Sequence, residues 1–297
     1  MELPSPTSHR AEPAPRPALR LALRYDPRPV FGPADAAALY DSLLEHAAAA
    51  EACGVGLVWV SERPLAPGAR LPAALPLCAA LAARTTRIRI GAGPLALPLY
   101  HPLRVAEDIA TLDGLSGGRI ELALGLGAEG EAFAEFGVDR RARGHRLEEG
   151  IALLRAAWSG EPVSFSGRHH SVSGVVIAPR PIQRPGPPIW VGGAAEAAVR
   201  RAARLGAGLL AQDTAAIETY LGVRRSLAVE EPARISLEID AAAILSGAGR
   251  GTLAALVEAA RGAETFDLVA GAEGQGGSAW LAPRELEALV EAVAALG

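Results

Sequence analysis

The feature that most constrains this chain is a repeated couplet: a short run rich in Val, Ile and Leu that ends on glycine, serine or an acid, followed by a stretch of helical periodicity. The first four runs are LRLALRY (Leu19 to Tyr25), GLVWVSE (Gly56 to Glu62), RIRIGAG (Arg87 to Gly93) and RIELALGLG (Arg119 to Gly127). Four more follow: PIWVGG (Pro188 to Gly193), GLLAQD (Gly208 to Asp213), RISLEIDAAAILSG (Arg234 to Gly247) and TFDLVAGAEG (Thr265 to Gly274). Helical patterns separate them, as in HRLEEGIALLRAAW, where Leu147, Ile151, Leu154 and Trp158 recur at a spacing near 3.6. Eight such units predict an α/β fold, a (β/α)8 TIM barrel. A doubly wound sheet is the alternative, because the last three units are compressed.

The longest connection, Ala128 to Pro187, contains the hairpin pattern PVSFSGRHHSVSGVVIAP. We read it as an insertion between strands four and five that roofs the active-site face. Domain organisation is expected to be simple: a disordered Pro/Ala-rich tail over 1–18 and one barrel domain over 19–297.

Composition narrows the function classes. Half of the 297 residues are hydrophobic, enough for a large core. The N-terminal MELPSPTSHRAEPAPRPALR lacks the apolar stretch of a secretory signal, and the longest nearly apolar run, Leu71 to Ala83, is too short for a bilayer span of about 20 residues. No membrane association and a cytoplasmic location are expected. Net charge is −4 with a pI of about 5.9, and the basic residues are scattered, which argues against a nucleic-acid partner. Every one of the 29 basic residues is arginine. Without lysine, Schiff-base chemistry, lysine-anchored pyridoxal phosphate and the P-loop lysine are excluded. Cys53 and Cys78 occupy apolar helical settings and are expected to be buried thiols. Gly-x-Ser-x-Gly is absent, so a serine hydrolase is unsupported.

Barrel chemistry sits at the C-terminal ends of strands. Those exits read Asp26, Ser61-Glu62-Arg63, Gly93-Pro94, Gly125 to Gly127, Gly192-Gly193, Gln212-Asp213, Ser246 and Glu273. Glycine lets a flat or phosphorylated ligand approach the backbone. In WVGGAAEAAVRRAARLG, Gly192, Gly193 and Ala194 open a helix expected over Ala195 to Leu205, whose N-terminus is an anion site. An ordinary strand–helix turn is the competing reading.

The ordered set GVGLVWVSE, HPLRVAEDIATLDGLSGGRIELALGLG, RGHRLEEGIALLRAAWSGEPVSFSGRHHSV and PRPIQRPGPPIWVGGAAEAAVRRAARLGAGLL resembles the bacterial luciferase-like family of flavin- or F420-dependent oxidoreductases, over Leu19 to Asp213. The resemblance implies a cofactor ring across the C-terminal mouth. It also implies a monooxygenase that uses reduced FMN and O2 on a small organic substrate, with a separate flavin reductase and a homodimeric assembly. An F420-dependent hydride-transfer enzyme and a non-catalytic flavin- or partner-binding barrel are the alternatives.

The same resemblance assigns Gly93 and Pro94 to the wall behind the ring, where several members carry a cis peptide in a bulged third strand; a trans proline ending the strand is the other reading. It assigns Gly125, Gly127, Ala128, Gly192, Gly193 and Ala194 to cofactor contacts and makes Glu62, Arg63 and Glu129 the catalytic candidates. Many relatives read Ser-Glu/Asp-His where this chain has Ser61-Glu62-Arg63. Arginine stabilises anions but does not shuttle protons near neutral pH. Glu129, with Glu131 one register away, falls where some deazaflavin-dependent relatives place a proton donor. His101 is read as a helix cap, His169 and His170 as surface residues, and Arg143, Arg146, Glu148 and Glu149 as ion pairs at the barrel rim or a phosphate clamp. No metal site is expected.

Overall fold

The computed structural model describes residues 14–26, 33–65, 71–127, 130–271 and 280–296. Four strands come first: β1 (Ala18–Tyr25), β2 (Leu57–Val60), β3 (Arg89–Ala96) and β4 (Ile120–Gly125). An antiparallel hairpin of β5 (Val163–Ser166) and β6 (Ser171–Val175) precedes β7 (Ile189–Gly192), β8 (Gly208–Ala211), β9 (Arg234–Glu238) and β10 (Thr265–Gly271). All but the hairpin pair in parallel and close into a barrel in the order β1-β10-β9-β8-β7-β4-β3-β2. The helices are α1 (Pro33–Ala52), α2 (Ala74–Arg84), α3 (Pro102–Ser116), α4 (Gly130–Glu135), α5 (Arg143–Trp158), α6 (Glu196–Arg204), α7 (Thr214–Ser226), α8 (Ala241–Leu245), α9 (Arg250–Ala259) and α10 (Pro283–Ala294). This is the TIM barrel the couplets predict.

Strand periodicity of two divides each strand between two environments. Outward residues such as Leu23, Val58, Ile90 and Leu122 join helix residues such as Leu43, Leu81, Ile109 and Ile151 in the main core. Inward residues form a separate cluster of Ala22, Leu57, Trp59, Ala123, Trp190 and Val269. Trp59 and Trp190 meet edge to face, 5.6 Å between centroids and 85° between planes. Their rings lie over Gly91 and Gly208, where any Cβ would collide with the indole.

Beneath the indoles, toward the N-terminal end of the strands, the interior is charged. Arg20 grips Asp267 through two bonds, Nε to Oδ1 at 2.7 Å and Nη2 to Oδ2 at 2.9 Å. Its Nη1 also donates to Glu121 Oε1 at 2.9 Å, an atom that Arg89 Nε reaches from the other side. Trp190 Nε1 donates to Glu121 Oε2 at 2.7 Å. The network extends outward through Gln183, which accepts from Arg89 Nη2 at 2.9 Å and donates to Asp113 Oδ1 at 2.7 Å. Burial alone would raise the Glu121 carboxyl, but the Arg20 and Arg89 guanidinium groups outweigh it and hold the group below its ordinary range. Burial outweighs pairing at Asp267 and moves that carboxyl up.

Three details depart from the pattern-based expectations. Strand β3 runs through Gly93-Pro94 to Ala96 rather than ending at Gly93, because a bulge between Ala92 and Leu95 absorbs the proline. The Gly93-Pro94 bond is cis, and Gly93 takes a φ of +111°. Strand β9 stops at Glu238, since the Asp240 side chain accepts from Ala243 N at 3.1 Å and starts α8; Ser246 is therefore the C-cap of a helix and not a strand exit. Ala14 and Pro15, assigned to the tail by composition, accept bonds from Arg261 Nη1 and Gly262 N at 3.0 Å each. Glu273 lies outside the described residues. No helix among the described residues is long and apolar enough to cross a membrane.

Glu51, near the end of α1, fastens the outer layer to the barrel. Its carboxylate accepts from Thr86 N at 2.9 Å, Arg87 N at 2.6 Å and Ile88 N at 2.8 Å, immediately before β3. Burial pushes its pKa up, but the amides of Ile88, Arg87 and Thr86 prevail and bring it from 4.5 to about 2. A lowered acid contributes stability that is present above its unfolded pKa and lost as pH falls through its folded one. Glu51→Gln is thus expected to be less stable than the wild type at neutral pH, with the gap closing between about pH 4.5 and pH 2 in urea titrations. Glu121→Ala leaves two guanidinium groups facing an emptied centre and is expected to cost about 3–5 kcal/mol in the same assay.

Candidate active site

The C-terminal ends of the barrel strands surround a cavity of about 630 Å³, within the usual range for small-molecule and cofactor sites. Of the residues singled out in the sequence, Glu62, Arg63, Gly93, Pro94, Gly125 and Gly127 line it, as do Gly192, Gly193 and Ala194. Ala128 and Glu129 lie outside the described residues, as does the side chain of Glu131. Although Arg143, from the same connection between β4 and β7, lines the cavity, none of the hairpin residues does. Glu149 explains this: its carboxylate accepts the amides of Arg168 at 2.8 Å, His169 at 2.9 Å and His170 at 3.2 Å, pinning the hairpin turn to α5.

Barrel order divides the cavity into unlike walls. Adjacent strands β3, β4 and β7 contribute backbone and glycine, with the Pro94 ring laid across the other two: a Cβ on Gly125 or on Gly192 would sit 3.6 Å from it. From Gly192 the chain turns through Gly193 and Ala194 into α6, whose N-cap Ala195 has no side chain to bond the first-turn amides. Helix N-termini left without a side-chain cap are of the kind that bind anions. Gly193 adopts a φ of +148°, and a Cβ there would lie 2.7 Å from Ala198 Cβ.

Strands β9, β10 and β1 form the opposite wall. Arg24 and Glu238 meet there in a bidentate pair, Nη1 to Oε2 at 2.6 Å and Nη2 to Oε1 at 2.7 Å. Their side chains are 40% and 51% exposed, so the pair contributes about 0–1 kcal/mol to folding. On the flank, Trp59 lines the cavity while its Nε1 is buried without a partner among the described residues.

Glu62 is buried at the β2 exit. It accepts from Tyr100 OH at 2.8 Å and Ala74 N at 3.2 Å, so it joins the β2 exit to the segment after β3 and to the start of α2. Burial raises its pKa against the pull of these donors. Arg63 is exposed at the rim, and its backbone N donates to Leu71 O at 2.8 Å. His101 caps α3, its Nδ1 accepting from Leu103 N at 3.3 Å. His170 is buried against it, ring centroids 5.6 Å apart, rather than on the surface. Glu148 holds Arg201 and Arg204 at 2.9 Å each and Arg146 donates to Pro98 O at 3.0 Å. Arg143, alone of that group, lines the cavity. Cys78 is buried and Cys53 half-buried, and both are free thiols. No group of metal-ligating side chains occurs among the described residues.

Comparison with known proteins agrees with this geometry. The family model for luciferase-like monooxygenases matches residues 27–234, and the chain belongs to that family. Over 155 residues it is 30% identical to the oxygenase component of a flavin-dependent trigonelline monooxygenase from Acinetobacter baylyi, covering 52% of this chain and 43% of that protein. Over 186 residues it is 37% identical to an F420-dependent glucose-6-phosphate dehydrogenase from Beutenbergia cavernae, covering 60% and 54%. The chain spans about half the length of the curated relatives it matches. In fold it resembles the oxygenating constituent of 3,6-diketocamphane monooxygenase from Pseudomonas putida, solved with FMN, at a TM-score of 0.74 and 17% identity over 94% of this chain and 98% of that one.

Gly193→Val is expected to lower stability by about 1–3 kcal/mol, since its φ suits only glycine and the added carbon meets Ala198. Gly222→Ala, in open space within α7, is the control and is expected to be neutral or stabilising in the same denaturation experiment.

Proposed function

We propose that this chain binds reduced FMN against the β3–β4–β7 wall and acts as a monooxygenase on a small organic substrate. The observation that carries the reading is the pairing of a wall of glycine and proline with the uncapped start of α6: one suits a flat ring, the other its phosphate. The Trp59 N–H, buried at the cavity flank without a partner among the described residues, would supply a donor for a polar heterocycle and supports the fit. Pro94, Gly125 and Gly192 would hold the ring, and the amides at Gly193, Ala194 and Ala195 its phosphate. Gly127 would be a further backbone contact, as would Ala128, which lies outside the described residues.

When bound, reduced FMN supplies the electrons that activate O2, and the protein supplies placement and water exclusion. Glu62, fixed by Tyr100 and Ala74, sets the position of the β2 exit and with it Arg63, whose guanidinium stabilises negative charge near the mouth without moving a proton. Such chemistry depends on geometry and charge, which accommodates arginine where relatives carry histidine. The oxygenase-component relative supports a separate reductase as the source of reduced flavin.

The identity to F420-dependent dehydrogenases favours a second reading, hydride transfer on the same wall, with Glu129 as a proton-donor candidate. Anaerobic equilibrium binding to reduced FMN, oxidised FMN and F420 separates the two. Tightest binding of reduced FMN, followed by oxygen consumption, is the expected result. Preference for F420 with anaerobic turnover supports the second reading, and failure of all three ligands to bind overturns both.

A further inference from the structure

The wall opposite the glycines carries chemistry that a flat cofactor does not use. Arg24 is the inward residue near the end of β1, in register with Gly271 of β10, and Glu238 is the last residue of β9, in register with Val269 of β10. The two reach each other across β10 and both line the cavity. Their cavity-lining neighbours include the apolar Trp59 beside Arg24, Val269 beside Glu238 and Leu210 on β8, together with Ser236, two residues before Glu238 on the same face of β9.

A half-exposed pair of this kind adds little to folding, so a ligand that separates it forfeits little stability. Its effect on ligands is selective. A lone carboxylate drawn to Arg24 is repelled by Glu238, and a lone ammonium drawn to Glu238 is repelled by Arg24. A molecule with both charges a few bonds apart satisfies both groups at once, while Trp59, Leu210 and Val269 take its apolar part. We propose that the β9–β10–β1 wall is the substrate subsite and that it selects a small zwitterion with an apolar body, of the amino-acid or N-substituted amino-acid class. The inference rests on the reading that the cofactor occupies the opposite wall.

The test uses four probes with one phenyl body: L-phenylalanine, 3-phenylpropanoate, 2-phenylethylamine and 2-phenylethanol. Their binding to the full chain is measured by ligand-observed NMR or calorimetry, alone and with saturating FMN or F420. L-Phenylalanine is expected to bind at least tenfold more tightly than the other three. Glu238→Gln, which leaves Arg24 unopposed, should shift the preference to 3-phenylpropanoate, and Arg24→Gln should shift it to 2-phenylethylamine. Cofactor affinity should change less than threefold in both variants.

Equal or tighter binding of 2-phenylethanol, absence of binding by all four, or variants that weaken the charged probes alike would overturn the proposal. A large loss of cofactor affinity in the variants would overturn it too, by moving the cofactor onto this wall. If neither cofactor binds while the probe order holds, the cofactor reading fails and the zwitterion subsite stands.

Discussion

The barrel is organised around one buried carboxylate. Glu121 projects into the interior from β4 and is met by guanidinium groups from β1 and β3 and by the indole N–H of Trp190 from β7. Arg20 carries the connection on to Asp267 of β10. Five of the eight barrel strands thus converge on a few polar atoms, and a shift of two residues in any of them would bring a different side chain to the network. Buried ion pairs of this sort add little net stability over an apolar core, and breaking one is costly. In this chain the network joins side chains that meet only at the observed register, and register decides which side chains reach the mouth.

From that constraint follows the order of layers along the barrel axis. Charge fills the N-terminal end, two crossed indoles lie above it, and the cavity occupies the C-terminal end. Room for the indoles comes from Gly91 and Gly208 on neighbouring strands. None of the network residues lines the cavity, so structural and ligand-facing charges are kept apart by Trp59 and Trp190.

Much of this was legible in the sequence. Runs such as GLVWVSE and PIWVGG carry strand signals strong enough to count units, and the glycine exits marked one wall of the cavity. The boundaries that shifted did so for local reasons. A proline reads as a strand end until a bulge is allowed, and IDAAAILSG is equally apolar as strand or helix until Asp240 is recognised as a cap. The missed residues were charges within strands. LRLALRY places Arg20 and Arg24 on one face, RIRI and RIEL do the same for Arg89 and Glu121, and alternation alone would have pointed them inward. Nothing in the sequence marks the meeting of Arg24 with Glu238, 214 residues apart; only closure of the barrel around β10 brings them together.

The crossed tryptophans have one more consequence. Because they and the charged layer fill the barrel below the mouth, the cavity is, among the described residues, a blind alley along the barrel axis. A tunnel would need a barrier at each end before its contents could be kept dry; a blind alley needs one. A cover over the C-terminal face would dry the site without a second barrier at the far end of the barrel.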